Sequence, residues 1–272
     1  MTTTVFTQQD DYNNGYYEPY LFPEMEETEG MLYAETTTVT STVAYEDNGP
    51  MNVELFRSLS FTSSHEMPVV KPYNGEVPQY LVPHYRLKNT TMTCGVCPCF
   101  YTADRNFERA WSNPRAFSKT LMRYSYVLSP DFSVYLDMPR PMQLTSILKN
   151  KALAAWWQEC GLNVIPSVSW TTVEHIEEDL EGWPKYSVIA INSTGLGRDR
   201  RAKHNWIEGY EATISILEPA FILRYGAYQD GEEEEISRYY PNCNRLKACS
   251  INSVFCLMAC TLFFRPLCCL FG

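Results

Sequence analysis

The sequence predicts an α/β fold in which five β-α units surround a parallel sheet. Three observations lead there. Short apolar runs recur between Cys97 and Gly226, and each stops at a polar loop. Segments with apolar residues at helical spacing separate those runs. Strands that alternate with helices in this way are joined by right-handed crossovers, which makes their sheet parallel. Two closures stay open: a doubly wound open sheet, or a partial TIM-like barrel completed by strands from residues 50 to 95. Both put a ligand at the carboxyl ends of the strands.

The elements follow in order. Cys97-Pro98-Cys99-Phe100-Tyr101 is the first predicted strand, and Asp104 stands where it would cap a helix starting near Asn106. Asn113-Pro114 has the form of an N-cap followed by a proline in the first turn, which restarts a helix through Phe117 and Leu121. Tyr126-Val127-Leu128 is the second strand. Its loop carries Asp131 and Asp137, and Pro139 then opens a long helix. Leu144, Ile147, Leu148, Ala152 and Ala155 give that helix its apolar stripe, with Lys149, Asn150 and Lys151 lying between apolar positions; Gly161 ends it. Val164 to Trp170 reads as the third strand, where Pro166 lacks an amide donor and so predicts an edge or a bulge. A short acidic helix begins at Thr172. Tyr186 to Ile191 is the fourth strand, almost continuously apolar as when both sheet faces are covered. A helix bearing Trp206, Tyr210, Ile214 and Leu217 leads to the fifth strand, Ala220 to Tyr225.

Composition sets the boundaries. Of 272 residues 45% are hydrophobic, enough for a sizeable core. The net charge of -10 is unevenly placed: eleven of the 32 acids precede Arg57, the first basic residue, which leaves 21 acids against 22 bases. That distribution argues against a uniformly basic nucleic-acid binder. It predicts a disordered acidic arm over residues 1–50, open to a protein partner, and a Pro-rich coil with edge strands over 51–96. The α/β core is predicted over 97–229, and an acidic loop with an irregular Cys-rich tail over 230–272. The first twenty residues lack the cationic and apolar regions of a secretory signal, so a cytoplasmic location is expected. The alternative is tail association with a membrane, since Ala248 to Phe264 is seventeen residues without a charge beside Cys268 and Cys269.

Three constellations carry chemistry. Asp104, Asp131, Asp137 and Ser169 fall at predicted carboxyl ends of strands, where carboxylates bind a divalent cation or divide into acid and base. The same aspartates also suit turn chemistry and helix capping. The second runs through Ser193, Thr194, Gly195, Gly197, Arg198, Arg200, Arg201 and Lys203: a strand enters a glycine-containing turn and then a basic helix start, suited to a phosphate. No Walker or dinucleotide motif is present. The third is Cys94, Cys97 and Cys99 with His84 ten residues earlier, a candidate metal set set against buried strand thiols.

Phe107 to Pro114, Leu128 to Ser133, Asp137-Met138-Pro139 and Val164 to Trp170 together resemble an uncharacterised family, domain of unknown function 4417, found in bacterial, plasmid and phage proteins. Lys149-Asn150-Lys151, Trp156-Trp157-Gln158, Gly182-Trp183-Pro184 and Gly209-Tyr210 extend the resemblance over roughly residues 97 to 226. It implies a mobile-element context and supplies no activity. Two functions are therefore expected side by side. One is an enzyme acting on a phosphate-bearing substrate, a nucleotide or nucleic acid. The other is a non-enzymatic interaction module of a phage or plasmid, with its tail on a membrane.

Overall fold

The computed structural model describes residues 51–87, 93–194, 196, 200–226 and 236–241. The predicted acidic arm and the Cys-rich tail lie outside the described residues. The chain divides after Ala44, and every described residue belongs to the unit Tyr45–Gly272.

The described chain alternates strands and helices as its periodicity predicts. One helical turn, α1 (Val53–Phe56), follows Asn52, whose backbone is left-handed at φ 50°, and buries Leu55. Strand β1 (Tyr80–Pro83) pairs in parallel with β2 (Val96–Cys99). A single 3-10 turn and then α2 (Arg109–Ser112) and α3 (Pro114–Leu121) lead to β3 (Val127–Leu128). The Asn113 side chain caps α3 by accepting from the Ala116 amide, and Pro114 occupies the first turn where its missing N–H costs nothing. The long helix α4 (Arg140–Glu159) connects β3 to β4 (Val164–Ile165) and β5 (Ser167–Val168). Its end is closed by Gly161, whose φ of 88° only glycine adopts without strain and whose amide bonds the Gln158 carbonyl. Then come α5 (Ile176–Leu180), β6 (Val188–Asn192), α6 (Arg200–Leu217), β7 (Phe221–Tyr225) and β8 (Ser237–Tyr240).

All strand pairings in these named elements are parallel, in the sets β1-β2, β3-β4 and β5-β6-β7-β8. Strand β6 shows why its residues are almost all apolar. Ile189 and Ile191 pack into the layer shared with the helices, alongside Trp157, Tyr210 and Leu217. Val188 and Ala190 point to the opposite face, where they meet Cys97, Leu128, Ile165, Leu223 and Tyr225. Burying each large apolar side chain in such layers is worth about 1.5–3 kcal/mol, so the pattern of alternation selects the register.

Several sequence expectations change. The predicted third strand is two pieces, because the chain changes neighbours at Pro166: β4 pairs with β3 and β5 with β6. Proline sits at that hand-over, lacking a donor, while its carbonyl accepts from the Ala190 amide at 2.7 Å. Strand β1 falls in the segment expected to carry edge strands, whereas β8 stands outside the predicted strands; both gain their order from pairing with a neighbour, β2 and β7. Asp104 starts the 3-10 turn without capping it. Asn150 and Lys151, read as polar positions between apolar ones, are 1% and 0% exposed. The reason is tertiary: the Asn150 side chain exchanges two hydrogen bonds with the Phe132 backbone, and Lys151 Nζ donates to the Asp179 carbonyl at 2.8 Å.

Candidate functional site

A cavity of about 690 Å³ opens at the carboxyl ends of the strands. Its lining comes from successive strand ends: Tyr101 and Thr102 after β2, Asp131 and Ser133 after β3, Ser169 and Trp170 after β5, and Asn192 and Thr194 at β6. The head of α6 adds Ala202, Asn205 and Trp206.

Asp131 is the chemical centre. Its carboxyl accepts hydrogen bonds from Asn192 and Ser169 and lies near the Asp104 carboxylate. The Asn192 amide is oriented for this, because its Oδ1 takes the Thr194 amide at 2.9 Å and leaves the NH2 for Asp131. Burial pushes the Asp131 carboxyl up to about 7; the Asn192 hydrogen bond opposes this, the Asp104 charge adds to it, and the Ser169 hydrogen bond opposes it. A carboxyl so held exchanges a proton near neutral pH. Tyr101, fully buried below it, accepts from Ser167 Oγ at 2.9 Å; burial and then the Asp131 charge push its phenol well up, so it stays a neutral hydroxyl.

The loop carrying Asp131 is pinned from both sides. Asp104 accepts from Ser133 Oγ at 2.8 Å and from the Ser133 amide at 3.2 Å, and Asn150 clamps Phe132. Asp104 is thus a brace for the loop. Asp137 is exposed and lines the mouth beside Tyr135 and Leu136.

The floor behind Trp170 is held by a buried ionic cluster. Asp179, with no exposure, accepts from the Thr171 amide at 2.7 Å and from its hydroxyl at 2.5 Å, and pairs with Arg140 Nη2 at 2.8 Å. Arg140 also pairs with Glu178. Asn205 Nδ2 donates to the Thr171 carbonyl at 2.7 Å, tying α6 to the same turn. Burial drives the Lys151 ammonium down to about 7, against the raising effect of Asp179 and Glu181.

The predicted residues separate as follows. Asp131, Asp137, Ser169 and Thr194 share the cavity, and Asp104 reaches it through Ser133. Ser193 is buried and its amide bonds the Tyr225 carbonyl. Arg200, Arg201 and Lys203 are exposed on the first turn of α6, while Gly195, Gly197 and Arg198 lie outside the described residues. The candidate metal set does not assemble. Cys94 is exposed, Cys97 and Cys99 face the core layer of Leu128 and Tyr225, and His84 packs its ring on Phe100 and Phe117 in the other layer. Cys97 and Cys99 share one face of β2, whereas His84 follows β1 and packs against Phe100 and Phe117, which belong to the opposite layer. Among the described residues no group of three or more His, Cys, Asp or Glu side chains is placed to hold a metal ion. Both Asp104 carboxylate oxygens accept from the Ser133 amide at 3.2 Å. Also among the described residues, no helix is long and apolar enough to cross a membrane.

Sequence reasoning placed Trp170 beside Ser169 at a strand end and missed Trp206, Asn205 and Tyr101 as lining residues. Helical spacing identified Trp206 as buried, and its spacing cannot say that its edge also faces a cavity. Arg224 was missed as well: at 2% exposure it lies 4.6 Å from the Trp206 ring and 5.4 Å from that of Tyr210.

The chain is similar to two phage proteins. It is 28% identical over 186 residues to the Gene 1 protein of Mycobacterium phage L5, covering 66% of this chain and 80% of that protein. It is 25% identical over 168 residues to the Gene 1 protein of Mycobacterium phage D29, covering 61% of this chain and 62% of that protein. No solved structure matches it significantly. The model of one family, Domain of unknown function (DUF4417), matches residues 59–241, from the segment before β1 through the end of β8, and the chain belongs to that family.

Proposed function

We propose that the protein is an enzyme performing acid–base chemistry on a small phosphate-bearing substrate, with Asp131 as the proton-exchanging group. The observation that carries this reading is the convergence of Asp131, Ser169 and Asn192, from three different strand ends, on one cavity. Loops held by a rigid parallel sheet are where such sites sit, and about 690 Å³ suits a ligand of nucleotide size. Ser169 and Asn192 orient the carboxyl, while Asp104 holds its loop through Ser133. The positive end of the α6 dipole, with exposed Arg200, Arg201 and Lys203, favours an anionic group at the cavity edge.

The same reading includes a closed sheet. Strand β2 touches β3, and β4 touches β6, across the gaps between paired sets. Tyr240 Oη and Arg238 Nη1 of β8 both donate to the Pro78 carbonyl just ahead of β1. Residues from every named strand except β5 share one interior cluster. These contacts favour a TIM-like barrel over an open sheet, with the cavity at its carboxyl mouth.

The test is calorimetric titration of the full chain with nucleoside phosphates, pentose phosphates and inorganic phosphate, beside Asp131→Asn. Saturable binding of a phosphate compound, with turnover lost in Asp131→Asn, is expected. Absence of binding by every phosphate compound overturns the proposal.

A further inference from the structure

One wall of the cavity is aromatic, and its construction goes beyond what core packing requires. Trp170 follows Ser169 directly, so the ring begins one residue from the hydrogen-bonded group around Asp131. The indole is set in place from behind. It lies against α6 at Gly209, where a Cβ would come within 1.9 Å of its Nε1. Its ring centroid is 5.8 Å from that of Trp206, which stacks on Tyr210 at 5.3 Å and donates from Nε1 to the Asn192 carbonyl at 3.2 Å. The Trp206 hydrogen bond joins the aromatic wall to the residue that orients Asp131. Trp170 itself is only partly buried and lines the cavity.

A fixed ring beside a carboxyl, an amide and a hydroxyl has a specific complement. A planar heteroaromatic ring stacks its face on an indole and offers alternating donors and acceptors along its edge. A sugar phosphate offers an indole only C–H groups and no planar π face, and an aliphatic acid has no such edge. At the mouth, Tyr135 is 56% exposed on the loop that carries Asp131, a large ring left in solvent beside the opening. An exposed ring there suits a ligand that extends beyond the cavity.

We propose that the cavity takes a nucleobase, with its face on Trp170 and its polar edge toward Asp131, Ser169 and Asn192. This deepens the preceding proposal by naming the part of the substrate that the wall recognises, and it rests on that reading for the phosphate. The base arrives either on a free nucleotide or within a single strand, and the two sources share this chemistry.

The experiment is equilibrium binding to the full chain, read by calorimetry and by tryptophan fluorescence. The probes are unphosphorylated nucleosides, nucleoside monophosphates, ribose 5-phosphate and a short single-stranded oligonucleotide. Nucleosides and nucleotides bind, and ribose 5-phosphate binds at least about tenfold more weakly. Trp170→Leu weakens nucleoside binding by about tenfold or more, while Trp170→Phe keeps most of it; thermal melts establish that both variants fold. Tighter binding of the oligonucleotide than of the monophosphate supports a base within a strand, and equal binding supports a free nucleotide. Ribose 5-phosphate binding as tightly as the nucleotides overturns the nucleobase while leaving a phosphate substrate standing. Binding by none of the probes overturns both.

Discussion

The Trp170 indole occupies space that any residue larger than glycine at position 209 would claim. A Cβ there meets Nε1 at 1.9 Å and the adjacent ring carbon at 2.3 Å. Both neighbours are atoms of a rigid ring packed against Trp206, so the contact is relieved only by moving Trp170 or bending α6. Gly209→Ala is therefore expected to destabilise the fold by about 1–3 kcal/mol, although alanine is the better helix former. In a Trp170→Ala background the obstacle is gone, and the same change should stabilise by about 0.5–1 kcal/mol. Urea midpoints of the four proteins measure both signs. An unchanged sign in the two backgrounds would show that the indole is not what requires glycine.

Asp131 predicts a pH dependence of stability. In the fold its carboxyl keeps a proton until about pH 7, whereas the unfolded chain releases it near pH 4. Between those values the folded state binds more protons, so this group's stabilising contribution falls as pH rises from about 4 to about 7 and is level above. Asp131→Asn cannot ionise and lacks that slope. Relative to wild type, the variant should gain on the order of 2–4 kcal/mol between pH 4 and pH 8. Denaturant unfolding at the two pH values gives the difference directly, and a gap that does not change with pH would remove Asp131 as a buried titrating group.

Asp179 predicts a coupling between the helical layer and the cavity. Removing its carboxylate leaves the Thr171 amide without its acceptor and takes one of two carboxylate partners from Arg140. Asp179→Ala should cost about 1–3 kcal/mol, because the buried Thr171 amide is left without an acceptor while Arg140 keeps Glu178. Asp179→Asn, which still accepts from Thr171, should cost less. Since Thr171 lines the cavity, ligand affinity should fall in the same order as stability. Retained affinity in a destabilised but folded Asp179→Ala protein would separate the cluster from the site.

The alternation of strands and helices was legible because each segment's apolar spacing follows from its own geometry. Asn113-Pro114 announced the start of α3, and Gly161 the end of α4, because caps are local chemistry. Asp131, Ser169 and Thr194 were found at strand ends for the same reason, since a parallel sheet brings its carboxyl ends to one side. Asp104 was placed in the right loop, but the local cap that its position suggests does not form: it holds Ser133, 29 residues away.

What the sequence alone determined is therefore the order of the elements, their caps, and the side of the sheet on which polar residues gather. The tertiary structure decided which of those residues meet. It buried Asn150 and Lys151 because their partners, Phe132 and Asp179, arrive from other elements. It divided the third strand at Pro166 because β3 and β6 claim different halves. It also turned Trp170 into a cavity wall, because α6 offers a glycine where the indole must lie. Periodicity records the face a residue takes on its own element. Partners distant in the chain are chosen only when the packed layers bring them together.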